Sequence, residues 1–333
     1  MRLKKLGNSG LIVSELCMGA MTFGRETPRD QSFQMLDMYM KAGGNFIDTA
    51  NVYSTGVSEE ILGEWLSKQK RDEFVIATKV RFPMGDMPNQ SGLGRKHIVE
   101  SLEASLKRMR TDYVDVFYAH AWDFDTPLEE TMETFSDLVR MGKIRHAAIS
   151  NYGARHIQKA ADLSTFKGYT PCIALQAKYN LVIREPEWEL LPACQENGLG
   201  FVVWGPLFGG WLSGRYQRGM TEPPEGRIKE AEKEDWFEKW SRYNVESTWK
   251  VIDKLMEVAK RLDKSPAQVS LNWLLNKDNV TSIILGASKL SHLEDNLGCI
   301  GWSLNGKDMA ALDEVSEIEK PYPYDFLEMV RAI

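Results

Sequence analysis

Short apolar runs recur along the chain, and each is followed by a longer stretch in which apolar residues repeat at helical spacing. Eight such runs occur, at residues 16–20, 45–50, 74–80, 114–120, 145–150, 172–179, 200–205 and 282–287. Their nearly continuous hydrophobicity is typical of parallel strands that are buried on both faces. The pattern therefore predicts an α/β protein with a parallel sheet and right-handed crossovers through helices.

The intervening stretches carry helix signals. Apolar residues spaced for one helix face occur at Ile98, Leu102, Leu106 and Met109, and again at Leu128, Met132, Phe135 and Val139. Three sites match the pattern of a capped helix start: Thr126 with Pro127 and Glu129, Ser265 with Pro266 and Gln268, and Ser291 with Glu294. These signals predict amphipathic helices packed against the sheet.

Eight parallel strands can form either an open doubly wound sheet or a barrel. An open dinucleotide-binding sheet carries GxGxxG after its first strand, and the run LCMGAMTFG at 16–24 lacks it. Eight strand–helix units equal the number in a (β/α)8 TIM barrel, whose usual ~250 residues plus insertions suit a chain of 333 residues. We therefore expect residues 1–333 to form a single barrel domain.

Two segments lie outside the eight units. The opening KKLGNSGLIVSE at 4–15 has the pattern of a β-hairpin that turns at Asn8, Ser9 and Gly10, and we expect it to close the barrel floor. Residues 215–247, after the seventh run, are polar and rich in glycine, proline and charge. They predict a long loop with some helix, of the kind that often serves as a lid.

Composition and charge narrow the class of protein. The chain is 43% hydrophobic and 26% charged with a formal net charge of −6, which gives no reason to expect binding to nucleic acid or to an acidic membrane surface. No apolar run approaches the roughly 20 residues that span a bilayer, and the basic opening lacks the apolar stretch of a secretory signal. The four cysteines form no CxxC pair, so reduced thiols and a cytoplasmic location are expected.

Polar residues at the ends of the second, third and fourth runs are candidates for chemistry. Asp48, Lys79 and His120 stand there, and Tyr53 follows in the loop after Asp48. Reactive groups of a (β/α)8 barrel gather at the carboxyl ends of its strands, so these side chains can converge. An ammonium group lowers the pKa of a nearby tyrosine from about 10, a carboxylate keeps a buried ammonium charged, and an imidazole can orient a carbonyl oxygen. The sequence thus predicts Tyr53 as proton donor to a carbonyl group.

Each of these residues alone also has an ordinary structural role. An aspartate at the end of a strand often caps the following helix, and a lysine at a barrel rim is usually solvated. A lone tyrosine more often packs with a wet hydroxyl, and a lone histidine more often makes a structural hydrogen bond. The combination of four is far more specific than its members.

Several motifs resemble those of the aldo-keto reductase superfamily, and they occur in the same order. They are FIDTANVY (46–53), ATKV (77–80), DVFYAHAWD (115–123), AISNY (148–152), LQAKYN (175–180), WGPLFGGWLSGRY (204–216) and LGASKLSHLEDN (285–296). The form is closest to the bacterial-type and potassium-channel-β-like branches. The resemblance implies a catalytic tetrad of Asp48, Tyr53, Lys79 and His120. Because channel β subunits often lack this histidine, its presence favours carbonyl reduction.

The same resemblance implies a site for NADP(H). Similar proteins hold the nicotinamide with residues that match Asp48, Ser150, Asn151 and Gln176, and an aromatic residue at the position of Trp204 stacks on it. The resemblance assigns the other contacts to Gly19 and Met21 after the first strand, to Gly205, Pro206, Leu207, Gly209, Arg215 and Arg227 after the seventh, and to Gly286, Ser288, His292, Asp295 and Asn296 after the eighth. Loops after the last two barrel strands commonly bind phosphate, which agrees with this assignment.

The segment expected beside the adenosine 2′-phosphate departs from the family pattern. It has Gly286-Ala287-Ser288-Lys289, with histidine at 292 where relatives carry Arg or Gln and aspartate at 295 in place of the usual Glu. Lys289 and Arg227 still supply positive charge. NADPH is therefore the expected cofactor, and use of NADH stays open.

Aromatic residues in the loops after the strands predict a pocket for a small organic carbonyl compound. The candidates are Phe23, Phe82, Trp122 and Trp211, with Tyr53 and His120 at the reacting end. Trp236, Trp240 and Trp249 lie in or beside the long loop, and because sugars stack on aromatic faces they also suggest a sugar-like carbonyl. Plain packing is at least an equal alternative for each pocket candidate.

Two other functions stay open on the sequence alone. The chain could be a cofactor-bound regulatory subunit that senses redox state with little turnover. It could also be a metal-dependent hydrolase that uses His120, Asp123 and Asp48, although metal barrels usually gather several histidines and this chain has five in all. We expect no metal and a small-molecule partner, and a homo-oligomer is compatible with the family.

Overall fold

Eight parallel strands close into a barrel in the computed structural model, which describes residues 1–235 and 238–331. The strands are β1 Leu3–Lys5 and β2 Ile12–Ser14 in a hairpin, and in the barrel β3 Leu16–Gly19, β4 Phe46–Asp48, β5 Val75–Val80, β6 Val114–Ala119, β7 Ile144–Ser150, β8 Cys172–Lys178, β9 Gly200–Trp204 and β10 Val280–Leu285. β10 pairs with β3 and completes the ring. All eight predicted runs contain a barrel strand, so the (β/α)8 barrel is confirmed.

Helices follow the barrel strands and cover their outer faces. They are α1 Arg29–Lys41, α2 Val57–Leu66, α3 Arg95–Met109, α4 Leu128–Arg140, α5 Ala154–Lys167, α6 Leu190–Glu196, α7 Arg227–Lys233, α8 Trp240–Tyr243, α9 Glu246–Leu262, α10 Pro266–Leu275, α11 Leu290–Leu297, α12 Gly306–Val315 and α13 Tyr324–Arg331. Within the described ranges, no helix is both long and apolar enough to cross a membrane. The predicted stripe of α3, from Ile98 to Met109, is buried throughout.

A helix begins within two residues of each of the three predicted starts, but only one of the three predicted capping residues is confirmed. The Ser265 hydroxyl accepts from the backbone N–H of Gln268, whose side chain accepts from the backbone of Ser265, so α10 begins with a capping box. The Thr126 hydroxyl instead donates to the Asp123 carboxylate at 2.7 Å, because an ionised acceptor forms the stronger bond, and α4 begins after Pro127. Ser291 lies inside α11.

The N-terminal hairpin closes the floor of the barrel, as predicted. Leu6 and Val13 are fully buried, and they pack on apolar side chains that fill the barrel interior. The backbone N–H of Asn8 donates to the carbonyl of Gly198, just before β9, at 2.8 Å. The hairpin therefore seals the end opposite the carboxyl ends of the strands.

Gly7 marks a very close approach between the hairpin and the barrel floor. Its φ is +61°, and a β-carbon there would lie 2.4 Å from the Ile173 carbonyl oxygen and 2.7 Å from the Gly200 nitrogen. We expect Gly7→Ala to lower the free energy of unfolding by about 3 kcal/mol, since left-handed strain and overpacking add. Urea unfolding measures the loss. Gly168→Ala is the matched control, because Gly168 has φ +69° and nothing within 4 Å of an added β-carbon. An equal loss in both variants would contradict the close-approach argument.

The segment after β9 is irregular chain with short helices, as predicted. An aromatic cluster packs there and consists of Phe208, Trp211, Tyr216, Trp240 and Trp249, with the ring centroids of Trp211 and Trp240 4.5 Å apart. All five side chains are buried. Trp240 and Trp249 thus offer no open face to a sugar, and Trp236 lies outside the described residues.

Candidate active site

The predicted tetrad lies on three neighbouring strands. β4, β5 and β6 are adjacent in the barrel, so Asp48 at the end of β4, Lys79 in β5 and His120 just after β6 share one end of it. Tyr53 begins the short 3-10 helix that follows β4. The structure therefore brings the four side chains together at the carboxyl ends of the strands, where barrel chemistry occurs.

Lys79 is the centre of the hydrogen bonding in this site. Its fully buried ammonium donates to the carboxylate of Asp48, to the carbonyl of Thr49 at 2.9 Å and to the hydroxyl of Tyr53 at 3.2 Å. The second oxygen of Asp48 accepts from the Gln176 amide at 2.8 Å. All three ammonium protons have acceptors, and this is the condition under which a buried ion pair is tolerated.

Tyr53 keeps its proton more firmly than the sequence predicts. Burial raises the pKa of Tyr53, and although the Lys79 ammonium lowers it as expected, the net direction is upward from 10.0. The expected lowering is therefore wrong, because the loss of hydration around a buried phenolate outweighs one nearby cation. At neutral pH the hydroxyl is protonated and able to donate.

His120 stands opposite Tyr53 and is neutral. Its ring meets Tyr53 edge-on at 5.8 Å and Phe82 at 4.8 Å between centroids. Burial lowers the pKa of His120 well below 6.5, and the charges of Lys79 and Arg81 lower it further. Its Nδ1 has no partner among the described residues. A neutral imidazole has one N–H, so His120 can donate one hydrogen bond to a substrate oxygen.

Asn151 and Trp204 form a fixed pair beside the tetrad. The Asn151 amide donates to the carbonyl of His120 at 2.9 Å and to the hydroxyl of Ser150 at 3.0 Å, and it accepts from the Trp204 indole at 2.9 Å. Asn151 has φ +56°, in the left-handed region that asparagine tolerates. These bonds orient the indole at the barrel end that carries the tetrad.

The loop after β9 and the start of α11 hold the predicted phosphate-side residues. Gly205, Pro206, Leu207 and Gly209 follow β9 directly. Burial lowers the pKa of His292 in the first turn of α11, and the charges of Lys289 and Arg215 lower this pKa further, so both cations act on this turn. An added β-carbon at Gly286 meets nothing within 4 Å, which leaves room for a ligand.

Three residues that the sequence assigns to the cofactor, Met21, Arg227 and Asp295, bond to other side chains. The Arg227 guanidinium donates to Glu238 at 2.8 Å and to the sulfur of Met21 at 3.6 Å. The Asp295 carboxylate accepts from Ser265 and Gln268 at the start of α10. For Arg227, phosphate binding requires the ion pair with Glu238 to open or to be shared. Gly19, Ser288 and Asn296 lie at the end of β3, before α11 and inside α11.

The predicted pocket residues divide into two groups. Phe82 contacts His120, and Trp122 stacks on His156 with 3.7 Å between ring centroids. Phe23 and Trp211 are fully buried, so plain packing accounts for them. Within 1–235 and 238–331, no group of three or more His, Cys, Asp or Glu is placed to hold a metal ion.

Sequence reasoning missed Arg81, which lies next to the site. Its charge acts on His120 and its guanidinium lies over the Phe82 ring, 5.4 Å from the centroid. The sequence did offer a signal, because Arg81 directly follows β5 and polar residues at the carboxyl ends of barrel strands are candidates for the site.

Comparison with known proteins gives one consistent family. The model of the aldo/keto reductase family matches residues 15–317. The chain is 33% identical to an uncharacterized oxidoreductase of Bacillus subtilis, over 93% of this chain and 94% of that protein. It is 36% identical to a probable voltage-gated potassium channel subunit beta of Oryza sativa, over 89% and 90% of the two chains. It is 32% identical to an aryl-alcohol dehydrogenase [NADP(+)] of Phanerodontia chrysosporium, over 95% and 86%. This chain belongs to the aldo/keto reductase family.

Proposed function

We propose that this protein reduces aldehyde or ketone carbonyls to alcohols with NADPH, and that Tyr53 is the general acid. The observation that supports this most directly is the bond from the buried Lys79 ammonium to the Tyr53 hydroxyl at 3.2 Å. A phenol that keeps its proton at neutral pH and touches a fixed cation can give that proton to an oxygen that is becoming negative.

Each member of the tetrad has a separate task in this proposal. When bound, NADPH supplies the hydride that the carbonyl carbon receives. Tyr53 donates its proton to the carbonyl oxygen, and Lys79 stabilises the phenolate that remains. Asp48 keeps Lys79 charged, while neutral His120 donates a hydrogen bond that orients the carbonyl oxygen.

The chemistry of the surrounding side chains fits a dinucleotide with a 2′-phosphate. Ser150, Asn151 and Gln176 offer the donors and acceptors that a carboxamide requires, and Trp204 offers an aromatic face. Arg215 and Lys289 supply the positive charge that a phosphate requires, and the neutral His292 can donate a hydrogen bond to it. A relative named as NADP-dependent supports the same choice.

The proposal is tested by binding followed by turnover. Titration with NADPH should quench tryptophan emission through Trp204, and NADH should quench more weakly. Loss of NADPH absorbance with benzaldehyde and with its uncharged derivatives then reports reduction. Folded protein that binds neither nucleotide, or binds NADPH and reduces no carbonyl in a broad panel, would refute the reductase function.

Removing a phosphate-side cation should change the choice of cofactor. We expect Lys289→Ala and Arg215→Ala each to lower kcat/KM for NADPH about tenfold, because each removes one charge-assisted contact to the 2′-phosphate. The value for NADH should stay within about twofold, since NADH lacks that phosphate. Steady-state kinetics with both cofactors measure the ratio. Lys307→Ala, at an exposed position in α12, is the control, and equal losses with NADPH and NADH would contradict the assignment.

A regulatory role with little turnover is the second candidate, and the potassium channel relative favours it. The same turnover assay distinguishes the two, because a sensor retains NADPH binding and lacks steady-state reduction.

All four cysteines are buried and free, which supports the proposed cytoplasmic location.

A further inference from the structure

We propose that Arg81 is the substrate-recognition residue of this site and that the preferred substrate is an aldehyde or ketone carrying a carboxylate. This inference rests on the proposed reductase function and names the substrate class for the same pocket. It is carried by an arginine close to His120 that has no acidic partner within 4.0 Å among residues 1–235 and 238–331, and that shares the Phe82 ring with the imidazole.

The backbone fixes where Arg81 stands. The backbone N–H of His120 donates to the carbonyl of Val80 at 3.0 Å, and the N–H of Gly92 donates to the carbonyl of Arg81 at 2.7 Å. Arg81 therefore directly follows the end of β5, next to the backbone of His120 and two residues after Lys79. Both groups contact the Phe82 ring, whose centroid lies 5.4 Å from the Arg81 guanidinium carbon and 4.8 Å from the centroid of the His120 imidazole.

Arg81 lacks the partner that other arginines in half-buried positions have. Arg71 pairs with Asp115 at 2.7 Å, and Arg108 pairs with Glu59 at 2.7 Å. In the part of the chain that the structure describes, no carboxylate lies within 4.0 Å of the Arg81 guanidinium, and its buried Nε makes no hydrogen bond. A buried donor without an acceptor costs about 1–3 kcal/mol, so this arrangement is explained by a ligand that supplies the acceptor.

Asp123, the carboxylate on which the charge of Arg81 acts, cannot serve as that acceptor without breaking its own hydrogen bonds. Asp123 accepts from the Leu93 N–H at 2.7 Å, from the Thr126 hydroxyl at 2.7 Å and from the Asp125 N–H at 3.2 Å. Hydrogen bonds and the charge of Arg81 hold the pKa of Asp123 below its usual value despite burial, so it is ionised. It anchors the turn before α4 and acts on Arg81 only at longer range.

These charges favour a carboxylate over a phosphate. A guanidinium offers a planar pair of donors that matches the two oxygens of a carboxylate. A dianionic phosphate would meet one cation while facing the ionised Asp123, and His120 is neutral and adds no charge. Because the guanidinium and the imidazole both contact the Phe82 ring, the pair suits a substrate whose carbonyl and acid groups are joined by an aromatic ring.

A matched pair of substrates tests this inference. We would measure NADPH-dependent reduction of 4-carboxybenzaldehyde and of its neutral methyl ester, methyl 4-formylbenzoate, by the wild type and by Arg81→Met and Arg81→Lys. We expect the wild type to prefer the acid about tenfold in kcat/KM, the value of one charge-assisted pair. Arg81→Met should lose that preference through a higher KM for the acid, with the ester changed less than about threefold, and Arg81→Lys should keep part of it.

Arg140→Met, on the exposed face of α4, is the control variant, and NADPH quenching with thermal unfolding checks that each variant is folded. Equal kcat/KM for acid and ester in the wild type, or equal losses with both in Arg81→Met, overturns the role of Arg81 while the reductase function stands. Preference for 4-formylphenyl phosphate over the acid overturns the choice of a carboxylate. If neither aldehyde is reduced while other carbonyls of the broad panel are, this inference fails and the reductase function stands; if no carbonyl of the panel is reduced, both fail.

Discussion

Tyr53→Phe is expected to lower kcat for carbonyl reduction about a thousandfold, within the range that general acid catalysis contributes. The change removes only the hydroxyl oxygen and its proton, so the ring contact with His120 at 5.8 Å should persist. NADPH affinity, read by tryptophan quenching, should stay within about threefold of wild type, because no predicted cofactor contact depends on this oxygen. A loss confined to kcat assigns Tyr53 to the chemical step.

The pH profile gives the same assignment an independent measure. Burial holds the pKa of Tyr53 above 10.0 and that of His120 well below 6.5. The rate of reduction in the wild type should therefore be flat from about pH 6.5 to about pH 9, with Tyr53 protonated and His120 neutral throughout. Tyr169→Phe, at a half-buried position after α5, is the control variant for Tyr53→Phe, because it also removes one tyrosine hydroxyl. A Tyr53→Phe enzyme that keeps more than a tenth of wild-type kcat would contradict the role of general acid.

The barrel strands could be predicted because burial on both faces leaves a signal in each run. Asp48, Lys79 and His120 could be predicted as a group for a related reason, since the fold alone brings the ends of adjacent parallel strands together. These features depend on residues close in sequence and on a topology that few arrangements satisfy.

What the sequence did not predict depends on which of several possible partners a side chain takes once the chain is folded. Thr126 resembles a helix cap, but the Asp123 carboxylate is a stronger acceptor for its hydroxyl. Arg227 resembles a phosphate ligand, but the buried Glu238 lies on its guanidinium. The direction of the Tyr53 pKa shift depends on how completely the phenol is dehydrated. Sequence spacing carries little information on that quantity, because it is set by all the elements around the site.

The second large effect concerns stability and comes from the ion pair of Lys79 and Asp48. Lys79 is 0% exposed and the Asp48 side chain is 3% exposed, so removing one partner leaves the other charge buried. We expect Lys79→Met to lower the free energy of unfolding at pH 7 by about 4 kcal/mol. For comparison, Lys70→Met breaks an exposed pair with Glu73 and should cost less than about 0.5 kcal/mol.

The double variant Asp48→Asn/Lys79→Met separates the lost charge pairing from lost packing. With both charges gone no ion remains buried, and the variant should recover more than half of the stability that Lys79→Met loses.

Lowering the pH should also reduce the difference in unfolding free energy between the wild type and Lys79→Met. Burial already raises the pKa of Asp48, and without Lys79 this pKa rises further. A group whose pKa is raised on folding favours the folded state below its unfolded pKa, so the deficit should shrink as the pH falls from 7 toward about 4. Urea unfolding across this range measures both effects. A double variant no more stable than Lys79→Met, with a deficit independent of pH, would mean that the lysine stabilises the barrel by packing and not by its charge.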